Sequence, residues 1–199
     1  MSVRTAVLVS GGGTNLQALI DASRAGNMPH VDICLVLSNR ADAYALKRAE
    51  RSGIPSAVCQ REKGEAREAF EARMLEVLRA HDVEMLILAG FMAILSKEFV
   101  QNYPDRILNV HPSLIPSFCG KGFYGLHVHE AALAYGVKVT GATVHFVNEV
   151  PDGGRILLQQ AVDVLPGDTP ETLQKRVMEQ AEWKLLPKAV AMICNGEVE

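Results

Sequence analysis

The sequence has no long apolar run, no excess of basic charge and no closely spaced pair of cysteines. No stretch approaches the roughly 20 apolar residues that a membrane-spanning helix needs. The sequence has 20 Lys and Arg residues and 23 Asp and Glu residues, which gives a formal net charge of -3. A nucleic-acid-binding protein usually carries an excess of basic residues, which this sequence does not have. We therefore expect neither a membrane nor a nucleic acid as a partner.

The four cysteines are scattered, with no Cys-x-x-Cys pair, and this favours reduced thiols over a disulfide or metal framework. They are Cys34, Cys59, Cys119 and Cys194. The amino terminus enters an apolar strand at residue 3, without the basic segment and cleavage site of a secretory signal. A reducing cytoplasm is the expected location.

Short apolar runs alternate with helical patterns, as in βαβ units that build a mostly parallel sheet. The predicted strands span 3–9, 31–37, 55–59, 83–89, 106–110, 138–147 and 155–164. The predicted helices span about 16–25, 41–52, 64–81, 126–135 and 170–195. We expect a single α/β domain over residues 1–199, with an open, twisted, Rossmann-like sheet, helices on both faces and a late antiparallel strand.

The segment Ser10-Gly-Gly-Gly-Thr-Asn15 follows the first predicted strand and opens the first helix. Glycines let backbone amides approach an anion, and a helix amino terminus adds free N–H groups and a positive dipole end. The loop lacks the Gly-Lys-Ser/Thr of a P-loop and the third glycine of the dinucleotide fingerprint. It predicts a site for a phosphate monoester, with a ligand-free tight turn as the alternative.

The fifth predicted strand carries Asn109 and His111, which period-two alternation places on one face near its carboxyl end. An Asn N–H and an imidazole can stabilise the oxyanion formed when an amine attacks a carbonyl. Asp152, in an Asp-Gly-Gly turn, would raise the pKa of the imidazole if it lay nearby. Each residue taken singly also has an ordinary interpretation. Asn109 could cap the strand end, His111 could be a hydrogen-bonded core histidine, and Asp152 could be a turn residue.

Two further groups have both functional and ordinary interpretations. The stretch 89–95 leaves the fourth strand and is either an apolar wall for a flat heterocycle or ordinary core. Arg67 either meets a ligand carboxylate or is solvated. His127 and His129 form a His-x-His pair, but residues two apart in a helix do not share a face, so no metal site is predicted.

Several of these motifs occur in the same order in a known family. They are Ser10–Gln17, Leu88–Met92, Ile107–Pro116, Gly141–Val147 and Asp152–Gly154. Together they resemble the phosphoribosylglycinamide formyltransferases of purine synthesis, a branch of the folate-dependent formyltransferases. The resemblance implies formyl transfer from 10-formyltetrahydrofolate to the glycinamide amine of a ribonucleotide, on small-molecule substrates and without a metal. It also implies a cis peptide bond before Pro116 and leaves monomer and homodimer open.

The resemblance also implies roles for individual residues and a division of the chain. Residues 1–105 would bind the phosphate, and residues 85–199 would bind folate and carry the chemistry. The implied catalytic residues are Asn109, His111 and Asp152. The implied ribonucleotide contacts are Gly13, Thr14, Asn15 and Glu182. The implied folate contacts are Arg67, Met92, Ala93, Ile94, Leu95, Asn109, Asn148, Glu149, Val150, Pro151 and Asp152.

The sequence departs from the family pattern at three places. Ala93 stands where many relatives carry Arg, the 117–124 loop is longer than a compact Pro-Gly-Leu-His connection, and the segment around Glu182 is offset by about one residue. The alternative functions are a formyltetrahydrofolate hydrolase, which usually adds an amino-terminal regulatory domain, and a non-catalytic nucleotide-binding module. Methionyl-tRNA formyltransferase would need a carboxyl-terminal tRNA-binding domain. The complete set of three polar residues argues against the non-catalytic module.

Overall fold

The structure, a computed structural model, describes residues 2–198. Seven strands form one sheet in the order β3-β2-β1-β4-β5-β6-β7. The strands are β1 (Val3–Val9), β2 (Val31–Ser38), β3 (Ser56–Val58), β4 (Met85–Leu88), β5 (Ile107–His111), β6 (Val139–Phe146) and β7 (Ile156–Asp163). The helices are α1 (Thr14–Arg24), α2 (Tyr44–Arg51), α3 (Arg67–Ala80), α4 (Lys97–Val100), α5 (Leu126–Tyr135), α6 (Pro170–Val177) and α7 (Trp183–Cys194), with a π-helical turn at Met178–Glu182.

The sheet is parallel from β3 to β5 and antiparallel from β5 to β7. The strand order reverses between β1 and β4, and in open α/β sheets ligands bind in the crevice beside such a reversal. The glycine-rich loop follows β1 and the 89–95 stretch follows β4, so both border this crevice. The predicted mostly parallel sheet with a late antiparallel strand is confirmed.

Helices cover both faces of the sheet, which explains why the central strands are apolar without alternation. In β1, Val7 and Val9 pack in one apolar cluster with residues of α1 and α7, whereas Ala6 and Leu8 pack in the other with residues of α3. All four side chains are fully buried. Since burying a Val or Leu side chain contributes about 1.5–3 kcal/mol, β1 holds the glycine-rich loop on a rigid base.

Two elements differ from the sequence prediction. Helix α4 is a single short turn with Ser96 as its N-cap, too short to produce a periodic pattern. The last predicted helix is not uniform, because the π-helical turn separates α6 from α7. Thr169 and Thr172 form a capping box at the start of α6, which begins at the predicted residue 170. Within residues 2–198, no helix is long and apolar enough to cross a bilayer.

Candidate active site

Asn109 and His111 lie on one face of β5, opposite two residues of β6. The antiparallel register pairs Asn109 with His145 and His111 with Thr143. Leu108 and Val110 point to the other face and pack in the apolar cluster that contains α1 and α7. Alternation therefore orients the two polar side chains as the sequence predicted, and His111 is only 4% exposed.

Asp152 is brought to this face by the loop between β6 and β7. Its Oδ1 lies 3.4 Å from Nδ2 of Asn109, and its Oδ2 lies 3.5 Å from Nδ1 of His111. The loop is tight: a Cβ at Gly154 would lie 1.8 Å from the carbonyl oxygen of Phe146, so only glycine fits there. The structure thus brings together the three side chains that the sequence singled out.

His145 is a fourth polar group, which the sequence analysis did not include among the candidate site residues. Its Nε2 lies 3.2 Å from Nδ2 of Asn109 and 3.6 Å from Oδ1 of Asp152, and its Nδ1 is 2.8 Å from the carbonyl oxygen of Phe146. The ring is 1% exposed. Only the antiparallel register of β6 places it here, and a sequence without known strand pairing does not show that register.

The electrostatics of His111 qualify one expectation. Burial lowers the pKa of the imidazole below its ordinary value of 6.5, and the nearby Asp152 carboxylate only partly offsets this. Asp152 therefore acts in the predicted direction, but the net shift of the His111 pKa is downward, because desolvation of the charged ring outweighs the attraction. At neutral pH His111 is an uncharged imidazole with one N–H and one free lone pair.

Asp152 is the anionic member of the group. Burial alone would raise its pKa, but the hydrogen bond with His145, the charge that His111 carries when it is protonated and the N–H of Gly120 together lower it. The Gly120 N–H donates to Oδ2 at 2.8 Å. A carboxylate held by several donors stays charged while its neighbour His111 is neutral. The pair therefore combines a fixed negative charge with a proton acceptor.

The 117–124 loop contacts the same two residues. Nε2 of His111 lies 2.9 Å from the carbonyl oxygen of Phe118, and Gly120 binds Asp152 as described. The Phe118 ring packs edge-on to Tyr135 at 6.0 Å between ring centroids and contacts Phe123 at 6.4 Å. The peptide bond between Ile115 and Pro116 is cis, as the family resemblance implied.

The glycine-rich loop opens α1 with a left-handed residue. Gly13 has φ 72°, and a Cβ there would lie 2.6 Å from Cβ of Ala45, so both conformation and space require glycine. Asn15 donates from Nδ2 to Oε2 of Glu182 at 2.7 Å, and its Oδ1 is buried with no partner among residues 2–198. Thr14 is half-buried beside Met178. The structure therefore joins all four residues expected to contact the ribonucleotide.

Glu182 reaches Asn15 from the π-helical turn. A π turn accommodates one extra residue in a helix, and this agrees with the one-residue offset noted in the sequence. Glu182 is 6% exposed, and burial raises its pKa to about 7, with Asn15 partly opposing the shift. The carboxyl group is therefore close to half-protonated at neutral pH.

Apolar side chains are exposed beside this group. Met92, Ile94 and Val150 are 54%, 58% and 55% exposed, whereas Leu95 is buried and Ala93 is half-buried. The Met92 N–H donates to Oγ of Ser10 at 2.8 Å, which ties the loop after β4 to the loop after β1. An exposed apolar surface at the edge of a polar site is typical of a binding site for a flat, partly apolar ligand.

Arg67 and Asn148 order the chain around this apolar surface. Arg67 donates to the carbonyl oxygen of Ile94 at 2.7 Å and pairs with Glu71 at 3.1 Å, so it is not simply solvated. Asn148 accepts from the N–H of Val150 at 2.9 Å. Glu71 is a buried residue that the sequence analysis missed, and it also binds Ser96 at the start of α4. Glu149 and Pro151 are exposed on the same loop as Asp152.

No group of three or more metal-ligating side chains occurs in the part of the chain that the structure describes. His127 instead forms a pair with Glu130 at 2.9 Å on α5, and His129 is fully buried. The four cysteines are free thiols. The polar side chains that the site brings together are an amide, imidazoles and a carboxylate.

Comparisons with known proteins agree with this arrangement. Residues 3–190 match the family model described as formyl transferase. The chain is 40% identical over 195 residues to phosphoribosylglycinamide formyltransferase of Haemophilus influenzae, covering 98% of this chain and 89% of that protein. It is 46% identical over 196 residues to the human trifunctional purine biosynthetic protein adenosine-3, covering 98% of this chain but only 19% of that protein.

A solved structure supports the same relationship at the level of the fold. Glycinamide ribonucleotide transformylase 1 from Symbiobacterium toebii superimposes with a TM-score of 0.92 and 42% sequence identity, covering 100% of this chain and 91% of that one. The trifunctional relatives from Drosophila melanogaster and Gallus gallus are much longer, and the chain spans 14% and 19% of their lengths. Sequence, fold and matched length agree, and the chain belongs to the formyl transferase family.

Proposed function

We propose that this chain transfers the formyl group of 10-formyltetrahydrofolate to the glycinamide amine of 5-phosphoribosylglycinamide. The observation that carries the proposal is the convergence of Asn109, His111 and Asp152, with Asp152 within 3.4 Å and 3.5 Å of the other two. These residues lie at the edge of the sheet that also carries the glycine-rich loop. The names of the relatives support the same reaction.

The first step is attack of the amine on the formyl carbon. A C–N bond forms, and the formyl oxygen becomes an oxyanion that needs hydrogen-bond donors. Asn109 supplies an amide N–H, and His111 supplies the Nε2–H that now binds the carbonyl oxygen of Phe118. A neutral imidazole still donates this hydrogen bond, so the lowered pKa of His111 is compatible with the role.

The second step is collapse of the tetrahedral intermediate. The bond between the formyl carbon and N10 of the folate breaks, and its electron pair leaves with N10. The proton lost by the attacking amine is transferred to that nitrogen, with Nδ1 of His111 and Asp152 as the acceptors along the way. Such positioned proton transfer contributes about 10²–10⁴-fold to a rate. No covalent bond to the protein forms.

The ribonucleotide would bind along the start of α1. Its phosphate would meet the amides of Gly13 and Thr14, and its ribose hydroxyls would lie near Asn15 and Glu182. The unpartnered Oδ1 of Asn15 supports this, since a buried acceptor without a donor is rare unless a ligand or water completes it. Both carboxyl oxygens of Glu182 and the amide of Asn15 would then form a polar end to the site.

The folate would bind against the exposed apolar surface after β4 and the loop that carries Asp152. Its flanking residues are Arg67, Met92, Ala93, Ile94, Leu95, Asn109, Asn148, Glu149, Val150, Pro151 and Asp152. Residues 1–105 would then serve the phosphate and residues 85–199 the folate and the chemistry, within one domain. The free thiols support a location in the cytoplasm.

One assay tests the proposal. The protein is incubated with 10-formyltetrahydrofolate in the presence and absence of 5-phosphoribosylglycinamide, and tetrahydrofolate release is followed. Release that requires the ribonucleotide, with formation of the formylated amine, is the expected result. Release at the same rate without the acceptor would identify a hydrolase, and absence of any release would point to a nucleotide-binding module without catalysis.

A further inference from the structure

We propose that Arg48 is a positioning residue that turns the amides of the glycine-rich loop towards the substrate phosphate. The inference rests on the proposed function, because it concerns the affinity of the same site for the ribonucleotide. Arg48 lies on α2, outside the loop itself, and is half-buried. It acts through the backbone of Gly12 and does not need to touch the ligand.

Two contacts from α2 hold the carbonyl groups of the loop. The N–H of Ala45 donates to the carbonyl oxygen of Gly11 at 3.0 Å, and Nε of Arg48 donates to the carbonyl oxygen of Gly12 at 2.8 Å. In a trans peptide the C=O of one residue and the N–H of the next point in opposite directions. Fixing the oxygens of Gly11 and Gly12 towards α2 therefore turns the N–H groups of Gly12 and Gly13 away from it.

The start of the helix leaves further backbone donors free. Gly13 is the N-cap of α1, and the carbonyl oxygen of Gly12, which precedes the helix, accepts from Arg48. The first helical hydrogen bond is the one from Gln17 to Gly13, at 2.9 Å. Between residues 2 and 198, five successive backbone N–H groups of the loop and first turn have no protein acceptor. They are those of Gly12, Gly13, Thr14, Asn15 and Leu16.

Arg48 is itself held in place on several sides. Its Nη1 donates to Oε1 of Gln17 at 3.0 Å, and its guanidinium lies 5.2 Å from the ring centroid of Tyr44. Its Cδ would lie 3.4 Å from a Cβ at Gly13, so the side chain packs directly behind the loop. A planar guanidinium binds two acceptors in a fixed geometry, which the single ammonium of lysine does not reproduce.

Arg48 and Thr14 both line a cavity of about 490 Å³ between α1, α2 and Trp183. Most of its lining comes from α1, and Thr14 borders it from the end of the loop. Because Arg48 contacts Gly12, its positive charge also lies close to any phosphate bound at the loop amides. The test must separate the geometry imposed by the guanidinium from this general electrostatic attraction.

Two variants of Arg48 make that separation. Arg48→Met removes the charge and the contact with Gly12, whereas Arg48→Lys keeps the charge and removes the paired geometry. Arg51→Met is the matched control, because Arg51 is an exposed cation on the same helix that binds the Tyr44 hydroxyl at 2.9 Å. Each protein is assayed with the phosphorylated acceptor and with the same acceptor lacking its phosphate.

The expected result is a rise in KM for the ribonucleotide of about tenfold or more in both Arg48 variants, the effect of losing a charge-assisted hydrogen bond. In the Arg48 variants, the kcat and the KM for the folate should stay close to those of the unmodified protein. In Arg51→Met, all of these constants, including the KM for the ribonucleotide, should stay close to those of the unmodified protein. For the acceptor without a phosphate, the Arg48 variants should match the unmodified protein. This contrast marks an effect on the phosphate site, which a loss of stability alone would not produce.

Three outcomes would overturn the inference. An unchanged KM in both Arg48 variants would show that the loop amides are oriented without the guanidinium. A normal KM in Arg48→Lys alone would show that charge, and not geometry, is what matters. An equal loss with both acceptors would show a general structural defect. If the unmodified protein released no folate in response to the ribonucleotide, the proposed function itself would fail, and direct binding of ribose 5-phosphate by calorimetry would still test Arg48.

Discussion

The Nε2 atom of His111 lies 2.9 Å from the carbonyl oxygen of Phe118, so this imidazole N–H is already engaged by the protein. The 117–124 loop also donates the Gly120 N–H to Asp152. The loop therefore fixes the tautomer of one proposed catalytic residue and the orientation of another. During formyl transfer, the N–H of His111 must be passed from Phe118 to the formyl oxygen, and both are oxygen acceptors of similar geometry.

Replacing His111 by alanine should abolish most of the activity. We expect His111→Ala to lower kcat by about 10²–10⁴-fold, because both a donor to the oxyanion and a proton acceptor are lost. The dissociation constant for the ribonucleotide should change little, since His111 lies apart from the glycine-rich loop. Steady-state kinetics and calorimetry measure the two quantities. His127→Ala is the matched control, because the described contacts of that exposed imidazole are with Glu130 on α5 and with the ring of Tyr124. Full activity in His111→Ala would refute the assigned role.

The pKa of His111 should respond to Asp152 with a definite sign. Burial lowers this pKa below 6.5, and the carboxylate of Asp152 partly restores it. In Asp152→Asn the opposing charge is removed, so the imidazole should titrate at a still lower pH. NMR titration of the ring measures this directly. An upward movement would mean that the Asp152 carboxylate does not raise the pKa of His111 in the unmodified protein.

The same substitution should change the pH profile of the reaction. Since neutral His111 accepts the proton, activity of the unmodified protein should fall only as the pH drops through the lowered pKa and should be level near neutrality. Asp152→Asn should be far less active, with its acid limb displaced to lower pH. The pH dependence of kcat/KM tests this, and an acid limb above pH 6.5 in the unmodified protein would contradict it.

Glu182→Gln should make the fold more stable while weakening the ribonucleotide site. The folded pKa of about 7 lies above the ordinary 4.5, so the carboxyl group favours folding at low pH and this contribution is lost as the pH rises from 4.5 to 7. A shift of this size corresponds to about 3 kcal/mol at most. Gln keeps an acceptor for Asn15 without a charge, and above pH 7 the variant should melt several degrees higher.

Melting curves between pH 5 and pH 8.5 test this prediction, together with calorimetric binding of the ribonucleotide. The difference in melting temperature between Glu182→Gln and the unmodified protein should grow with pH through the range in which Glu182 ionises. Ribonucleotide affinity should fall at every pH. A constant difference across the range would show that Glu182 has an ordinary pKa in the folded chain.

The glycines of the loop should differ in how they tolerate alanine. Gly13→Ala should lower the melting temperature and the ribonucleotide affinity, because its φ of 72° is unfavourable for alanine and its Cβ would lie 2.6 Å from Ala45. The left-handed conformation alone costs about 1–2 kcal/mol. Gly11→Ala meets nothing within 4 Å and should melt within about 2 °C of the unmodified protein. Equal melting temperatures for the two variants would contradict this account.

Features that depend on local chain chemistry were predicted well from the sequence. Strand β1 and helix α5 have the predicted bounds, since an apolar run or a helical pattern is read from neighbouring residues. The positions of Asn109 and His111 on one face follow from alternation along a single strand. The glycine-rich loop was recognised because its conformational requirement depends on residue type.

Some features that depend on distant pairing were not predicted. His145 joins the site only because β6 runs antiparallel to β5, and its sequence neighbours Val144 and Phe146 give no indication of a polar partner. The net pKa of His111 depends on the burial created by the whole fold. Glu71 likewise binds Ser96 from another segment, in addition to its pair with Arg67 on the same helix.

The π-helical turn at Met178–Glu182 shows how a helix can change length without disturbing either of its ends. The capped start at Thr169 and the apolar face of α7 are both anchored, so one surplus residue has to be absorbed between them. Removing Gln180 would regularise the helix and rotate either Glu182 or the packed face of α7 by about 100°. A family member with one residue fewer at this place could therefore keep a glutamate in contact with Asn15. A comparison by sequence spacing alone would then assign the proposed ribose contact to the wrong glutamate.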